Sequence, residues 1–377
     1  MEYTRRYEVL RSIFNPDKKE ISIPDSDIRI ISTVFTSDYS SEEFLNRSDF
    51  SIRENLIFKY PVFVPSDSNS GKAILLLHGL NERSWIKYLA WAYSLAELTG
   101  SYVVLFPISF HINRSPDSWK DPRAMTDLLR ERGTTTGDIR LSTFANIALS
   151  KRLTEDPKRF VNSGYQTVCD IENLMISIRE GKHPVIPGGC KVDLFAYSIG
   201  AFLAEIIMIA NPQMLFSDSR LFMFCGGSVF SNMNGVSKLI MDSEAFDRVY
   251  SYYMKDFEKD IKTRNSFMDK IRSIKIGMAF RSMIDLSRFK KFREQALSEL
   301  DNRIRSIGMA KDTVIPAHGI LNTLMPSGSS RSNQVEVWDF DYPCSHENPF
   351  PVYNDPRSRL VDKGFNKLIA NACRFFS

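Results

Sequence analysis

The segment 191–210, KVDLFAYSIGAFLAEIIMIA, places a serine where an apolar run must turn sharply into a helical pattern. In Ala196-Tyr197-Ser198-Ile199-Gly200 the residues two before and two after Ser198 are small. A strand and a helix that crowd each other at such a turn leave room for nothing larger. A serine held there adopts a strained backbone conformation that exposes its hydroxyl. The helix behind it aims its first N–H groups, and the positive end of its dipole, at any anion that develops. A small-x-Ser-x-small pentapeptide is short, and a structural serine at a strand–helix turn would read the same way. The flanking strand and helix patterns favour the chemical reading.

Three other segments could supply partners. His78-Gly79-Leu80-Asn81 follows the run AILLL directly. A glycine there lets the backbone turn so that a following N–H points into a cleft. The amides of Leu80 and Ile199 would then form a two-donor oxyanion hole, in which one donor is worth ~3–4 kcal/mol of transition-state stabilisation. The His78 side chain itself reads as a core histidine bonded to loop backbone. In RIRSIGMAKDTVIPAHGI a strand ends near Ala310, and Asp312 lies in the loop after it, on the ligand-binding edge of a parallel sheet. Asp312 could equally serve as a helix cap. In VEVWDFDYPCSHENPFP, His346 follows the final strand between Pro343 and Pro349. Of five histidines, it alone is placed to swing over the sheet edge towards Ser198. His111 and Arg114, in FHINRSP, could bind a polar or anionic part of a ligand, or anchor their loop by hydrogen bonds and a salt bridge. Trp85, Tyr197 and Phe230 could line a pocket or pack as ordinary core aromatics.

The elements that must position these residues follow from hydrophobic patterning. Residues 28–35 and 53–64 are rich in β-branched and aromatic residues and predict an N-terminal antiparallel edge. SDSNSGK (66–72) reads as a turn-rich connector. AILLL (73–77), YVVLF (102–106), VDLFA (192–196) and LFMFC (221–225) are continuous apolar runs, the pattern of strands buried on both faces. Helical spacing over 84–98, 160–180 and 201–210 alternates with them, which predicts a parallel sheet. RIRSIGMA (303–310) and QVEVWDF (334–340) complete the strands, and the tail after Pro356 is helical. Residues 107–160 and 228–300 break this rhythm. The first reads as a lid-like insertion. The second, charged and helical, reads as a cap inserted into the sheet domain or as a solvated appendage. The division expected is an N-terminal extension with an edge strand (1–50), a core (51–227 and 301–377) carrying the insertion 107–160, and a helical cap (228–300).

Composition narrows the class. Of 377 residues 43% are hydrophobic and 25% charged, which excludes a disordered, collagen-like or coiled-coil chain. Lys+Arg is 49 against Asp+Glu 45, a formal +4. So small a surplus, with no dense basic block, argues against nucleic acid as a partner. The five cysteines form no Cys-x-x-Cys pair, which argues against a zinc cluster or disulfide framework and for a reducing, cytoplasmic setting. No signal peptide is visible, and the longest oily stretch, AFLAEIIMIA, is interrupted by Glu205 and too short to span a bilayer.

The order Ser198, Asp312, His346, with a His-Gly loop before a βα unit, resembles the α/β-hydrolase superfamily over roughly residues 50–377. The resemblance implies an open, mostly parallel sheet flanked by helices, with helical cap insertions. It implies Ser198 as nucleophile, His346 as the base that takes its proton, and Asp312 as the group that fixes the imidazole. It implies a small-molecule acyl substrate and neither metal nor organic cofactor. Serine in place of aspartate at the nucleophile position disfavours dehalogenase or epoxide-hydrolase chemistry. Ala196 stands where glycine is commoner, and His-Gly-Leu-Asn lacks the longer glycine run of some lipases. Hydrolysis of an ester or related acyl bond is the reading these residues favour. Acyl transfer to another acceptor, thioester cleavage, a peptidase and a non-catalytic binding protein of the same fold are the alternatives.

Overall fold

The computed structural model describes residues 2–38, 47–66, 71–263, 267–272, 274–325 and 334–377. Most of the expected SDSNSGK connector, residues 67–70, lies outside them. The chain opens with α1 (Tyr3–Ile13), β1 (Glu20–Ser22), β2 (Ile28–Thr36), α2 (Arg47–Phe50) and β3 (Ile57–Pro65). Then come β4 (Lys72–Leu77), α3 (Ile86–Thr99) and β5 (Tyr102–Leu105). The first insertion carries α4 (Pro122–Thr136) and α5 (Ile147–Glu155) and leads into α6 (Arg159–Arg179). β6 (Lys191–Tyr197), α7 (Ile199–Ala210) and β7 (Leu221–Phe224) follow. The second insertion holds α8 (Ser243–Ser251), a π-helical turn, α9 (Phe257–Asp260), α10 (Phe267–Arg272), α11 (Lys275–Ser282) and α12 (Lys290–Glu299). The chain closes with β8 (Ile304–Met309), α13 (Ala317–Leu324), β9 (Val335–Trp338) and α14 (Arg357–Phe376).

The strands form one sheet in the order β1-β2-β3-β5-β4-β6-β7-β8-β9. The pairings from β1 to β5 along this order are antiparallel, and those from β5 to β9 are parallel. The continuous apolar runs are buried on both faces. In β4, Leu75 and Leu77 face one core with Leu194 and Ala196 of β6, while Ile74 and Leu76 face the other with Phe195 and Tyr197. The first core is covered by α6, α7 and the second insertion, and the other by α1, α3 and α14. Strand order turns back at β4, which lies between β5 and β6. Such a reversal opens a crevice at the carboxyl ends of the strands. This is the α/β-hydrolase fold, with helical insertions.

Local differences have physical reasons. The run 53–64 becomes a strand only from Ile57, because Arg53–Asn55 makes a 3-10 turn with Asn55 buried. α1 carries little hydrophobic signal in sequence, yet Tyr3 and Leu10 pack into the α3–α14 side. The helix expected at 201–210 begins two residues earlier, at Ile199. The two insertions are tied together. Arg132 of α4 pairs with Asp242, whose other oxygen caps α8 through the Ala245 N–H, and Asn146 donates to the Ser237 carbonyl at 2.9 Å. Among the described residues no helix is long and apolar enough to cross a membrane.

Candidate active site

Ser198 lies between the last residue of β6 and the first of α7, with φ 57° and ψ −123°. A non-glycine residue in that region stores strain that only its surroundings can hold in place. Gly200 shows why the neighbours must be small. A Cβ there would lie 2.6 Å from the His78 carbonyl oxygen and 2.7 Å from that of Leu77. At Gly226, beyond β7, it would meet the Ala201 Cβ at 2.2 Å. α7 therefore starts pressed against the ends of β4 and β7, and the Ser198 side chain stands at their edge.

The side chains of three distant loops meet there. Ser198 Oγ is 2.7 Å from His346 Nε2, and His346 Nδ1 is 2.7 Å from Asp312 Oδ2. A carboxylate only accepts, so Nδ1 carries the proton and Nε2 accepts from the serine hydroxyl. Asp312 Oδ1 takes the N–H groups of Val314 at 2.8 Å and Ile315 at 3.0 Å. The helix-cap alternative for Asp312 is corrected by this: α13 starts only at Ala317, and the carboxylate ties down its own loop instead. The Tyr197 ring stacks on His346, with centroids 5.5 Å apart and planes at 21°. Ser198, Asp312 and His346 are all buried.

The loop after β4 is held as firmly. His78 Nε2 accepts from the Ile108 N–H at 2.9 Å, so its Nδ1–H donates to the Gly79 carbonyl at 2.8 Å. Complete burial holds this imidazole well below its ordinary pKa, and it stays neutral. The Gly79 N–H donates to the Tyr88 hydroxyl, which in turn donates to Glu82. Gly79 lies against the Tyr197 ring, where a Cβ would come within 3.2 Å. Asn81, with φ 59°, ties the loop to the carbonyls of Ala145 and Leu239 in the two insertions. The amides of Leu80 and Ile199 donate to no protein acceptor among the described residues.

Ser198 opens on two cavities, one walled by apolar side chains and one bordered by several polar and charged ones. One, of about 470 Å³, is walled by Ile199, Phe230, Met233, Ile240, Phe246 and Val314, most of them from the second insertion. It shares Leu80, Phe160 and Ile199 with a larger, partly open apolar cavity between α6, α7 and α11, whose space of about 900 Å³ includes the solvent at its mouth. The other cavity at Ser198, of about 740 Å³, is bordered by Asn81, Glu82, Arg83, Lys87, His346 and Glu347. Lys87 pairs with Glu82, and Ser237 donates to Glu347.

Arg114 is a correction. It is fully buried and borders neither cavity at Ser198. Its guanidinium binds Asp170 Oδ2 at 2.7 Å, Asn55 through both side chain and carbonyl, and the Pro107 carbonyl. Four of its five N–H groups are taken by these acceptors, and it anchors the insertion. His111 donates from Nδ1 to the Ser109 carbonyl, walls the large apolar cavity, and is pushed down to about 4 by burial. Tyr197 supports His346 from beneath and also borders the polar cavity. Trp85 packs edge-on against His78, away from the cavities at Ser198, whereas Phe230 lines the smaller apolar one.

Sequence reading passed over Lys87, Glu347 and Cys225. The first two lie within nine residues of Gly79 and one residue of His346, and carried no motif of their own. Among the described residues, Cys225, Asp312 and His346 form the one group whose potential metal-ligating atoms lie within 4.8 Å of one another. Asp312 and His346 already share a proton, and burial pushes the Cys225 thiol well up, keeping it protonated. The set suits a hydrogen-bonded relay better than an ion.

Fold and side-chain arrangement together define the class: an α/β-hydrolase-fold protein with a Ser–His–Asp hydrogen-bonded chain at its sheet edge. Within it, residues 39–377 match the model of DUF6051, described as a family of unknown function, and the chain belongs to that family. No curated protein matches the sequence. Among solved structures, it is similar to a mutant of the esterase rPPE, at 9% identity and TM-score 0.48, covering 100% of this chain and 89% of that one. It is also similar to vibralactone cyclase, at 11% identity and TM-score 0.45, covering 100% and 86%. A third is a structure from a study of two fungal esterases from Rhizomucor miehei, at 11% identity and TM-score 0.44, covering 98% and 90%.

Proposed function

We propose that this protein is a serine hydrolase that cleaves an ester or related acyl bond through a covalent acyl-enzyme. The observation that carries the reading is the continuous chain Ser198–His346–Asp312, with both links at 2.7 Å and a strained serine facing cavities on two sides. Ser198 Oγ attacks the carbonyl carbon while its proton passes to His346 Nε2. Asp312 holds the imidazole in the tautomer that accepts this proton and stabilises the imidazolium. The carbonyl oxygen becomes an anion facing the free amides of Leu80 and Ile199. Collapse breaks the bond to the leaving group, which takes the proton from Nε2. Water then attacks the acyl carbon, gives its proton to Nε2, and the Ser198 oxygen leaves and takes that proton back. In this reading residues 228–300 act as a cap, because they wall the apolar chamber beside Ser198.

A fluorophosphonate probe tests the reading. It labels Ser198 in the folded protein, and Ser198→Ala abolishes labelling. Folded wild-type protein that stays unlabelled contradicts it.

A further inference from the structure

The two sides of Ser198 differ enough to orient a substrate. Granting that Ser198 is the nucleophile, the leaving group must lie where His346 Nε2 can protonate it. His346 borders the polar cavity and neither apolar one. The leaving group therefore sits among Asn81, Glu82, Lys87 and Glu347, where a polar alcohol finds donors and acceptors. The acyl group takes the opposite side, where Ser198 opens on the apolar chamber that shares Leu80, Phe160 and Ile199 as walls with the larger cavity. The larger cavity is walled by residues such as Val168, Leu203, Ile206, Ile276 and Phe280. Its charged members Arg152 and Arg159 are both paired with Asp49. A space with so largely apolar a lining recovers free energy chiefly by taking apolar surface out of water.

We infer that the natural substrate joins a long aliphatic acyl chain to a polar alcohol, the chain passing Leu80, Phe160 and Ile199 into the cavity between α6, α7 and α11. Each buried methylene then raises kcat/KM by about fourfold until the cavity is filled.

Gly164 offers a way to plug that cavity. It lies on α6 in the cavity wall, and a Cβ there would meet a single neighbour among the described residues, the Leu203 Cδ1 at 4.0 Å. A larger side chain can extend into the open space, and replacing a mid-helix glycine also favours the helix. The experiment measures kcat/KM for p-nitrophenyl acetate, butyrate, octanoate and dodecanoate in the wild-type chain and in Gly164→Leu and Gly164→Phe. The wild-type profile rises from acetate to octanoate, and each variant lowers the octanoate-to-acetate ratio at least tenfold. A wild-type profile that is flat or best on acetate overturns the inference while leaving ester hydrolysis at Ser198 intact. So does an unchanged ratio in both folded variants. If no ester is cleaved and Ser198 resists the fluorophosphonate, the underlying reading falls and takes this one with it. The wild-type profile decides by itself should either variant fail to fold.

Discussion

Asp170 and Asp312 are both buried carboxylates that fix loops by hydrogen bonds, yet they end in different places. Asp170 takes the Ser37 hydroxyl on one oxygen at 2.6 Å and Arg114 on the other at 2.7 Å. Every nitrogen of that guanidinium has a protein acceptor, and the cluster is sealed. Asp312 is fixed as firmly by two backbone amides and His346. Its chain runs on to a serine hydroxyl that stands at a cavity wall. Burial and charge are common to both clusters and do not separate structure from chemistry. The separating feature is a terminal group whose single hydrogen bond can be exchanged for a bond to something arriving from solvent.

That contrast can be broken from either side. The largest effect belongs to Ser198→Ala, which should lower kcat/KM for an ester by at least about 10⁴-fold with no loss of urea stability. Comparable loss of stability would make Ser198 a structural residue. Asp312→Asn should come next, with kcat down on the order of 10⁴-fold, because the amide can donate to Nδ1 and favour the wrong tautomer. A change confined to KM would contradict that role. Arg114→Met should act in the opposite sense. It leaves Asp170 buried without its cation, and urea denaturation should show a loss of about 3–5 kcal/mol. Adding Asp170→Leu should recover part of it. A raised KM at full stability would return Arg114 to the site.

Two further groups sharpen the comparison through pH. His111 and His183 are buried, and burial brings each down to about 4. Between that value and the unfolded value near 6.5, the unfolded chain binds protons that the native chain refuses. Their contribution to stability is therefore present above pH 6.5 and lost as pH falls, up to about 3 kcal/mol each by pH 4. Denaturation midpoints that stay flat from pH 7 to pH 5 would contradict this. Glu205 is smaller and of opposite sign. Both of its oxygens are buried without a hydrogen-bond partner among the described residues, and burial pushes its carboxyl well above the ordinary range. The native chain keeps that proton after the unfolded chain has released it, so stability falls as pH rises from about 4.5. Glu205→Leu should raise stability by about 1–2 kcal/mol at pH 7 and by less at pH 4. An equal gain at both pH values would show that Glu205 is not held protonated.

Legibility in the sequence follows the same division. The central strands are readable because double burial demands unbroken apolar runs, and β4, β6 and β7 fall within a residue or two of AILLL, VDLFA and LFMFC. Ser198, Asp312 and His346 are readable as positions because each lies in the segment that follows a strand, and strand ends converge on one edge. Arg114 defeats this reasoning. It follows a strand end as they do, and only the side-chain partners Asn55 and Asp170, about 60 residues to either side, reveal that its guanidinium is held inside the protein. α1 is hidden for a different reason. Its burial against α3 and α14 rests on Tyr3, Arg6 and Leu10, and so few buried positions, one of them charged, leave weak periodicity. The apolar cavity is hidden altogether, since it is a space between α6, α7 and α11 and no single segment encodes it.

The most direct test of the central claim is to catch the acyl group in place. The protein is mixed with a p-nitrophenyl ester, quenched in acid during the first turnover, digested and weighed by mass spectrometry. The account predicts one acyl group per chain on the peptide containing Ser198, formed in step with a burst of nitrophenol and absent from Ser198→Ala. Nitrophenol released through full turnovers with Ser198 never acylated, or with the acyl group on another side chain, would contradict it.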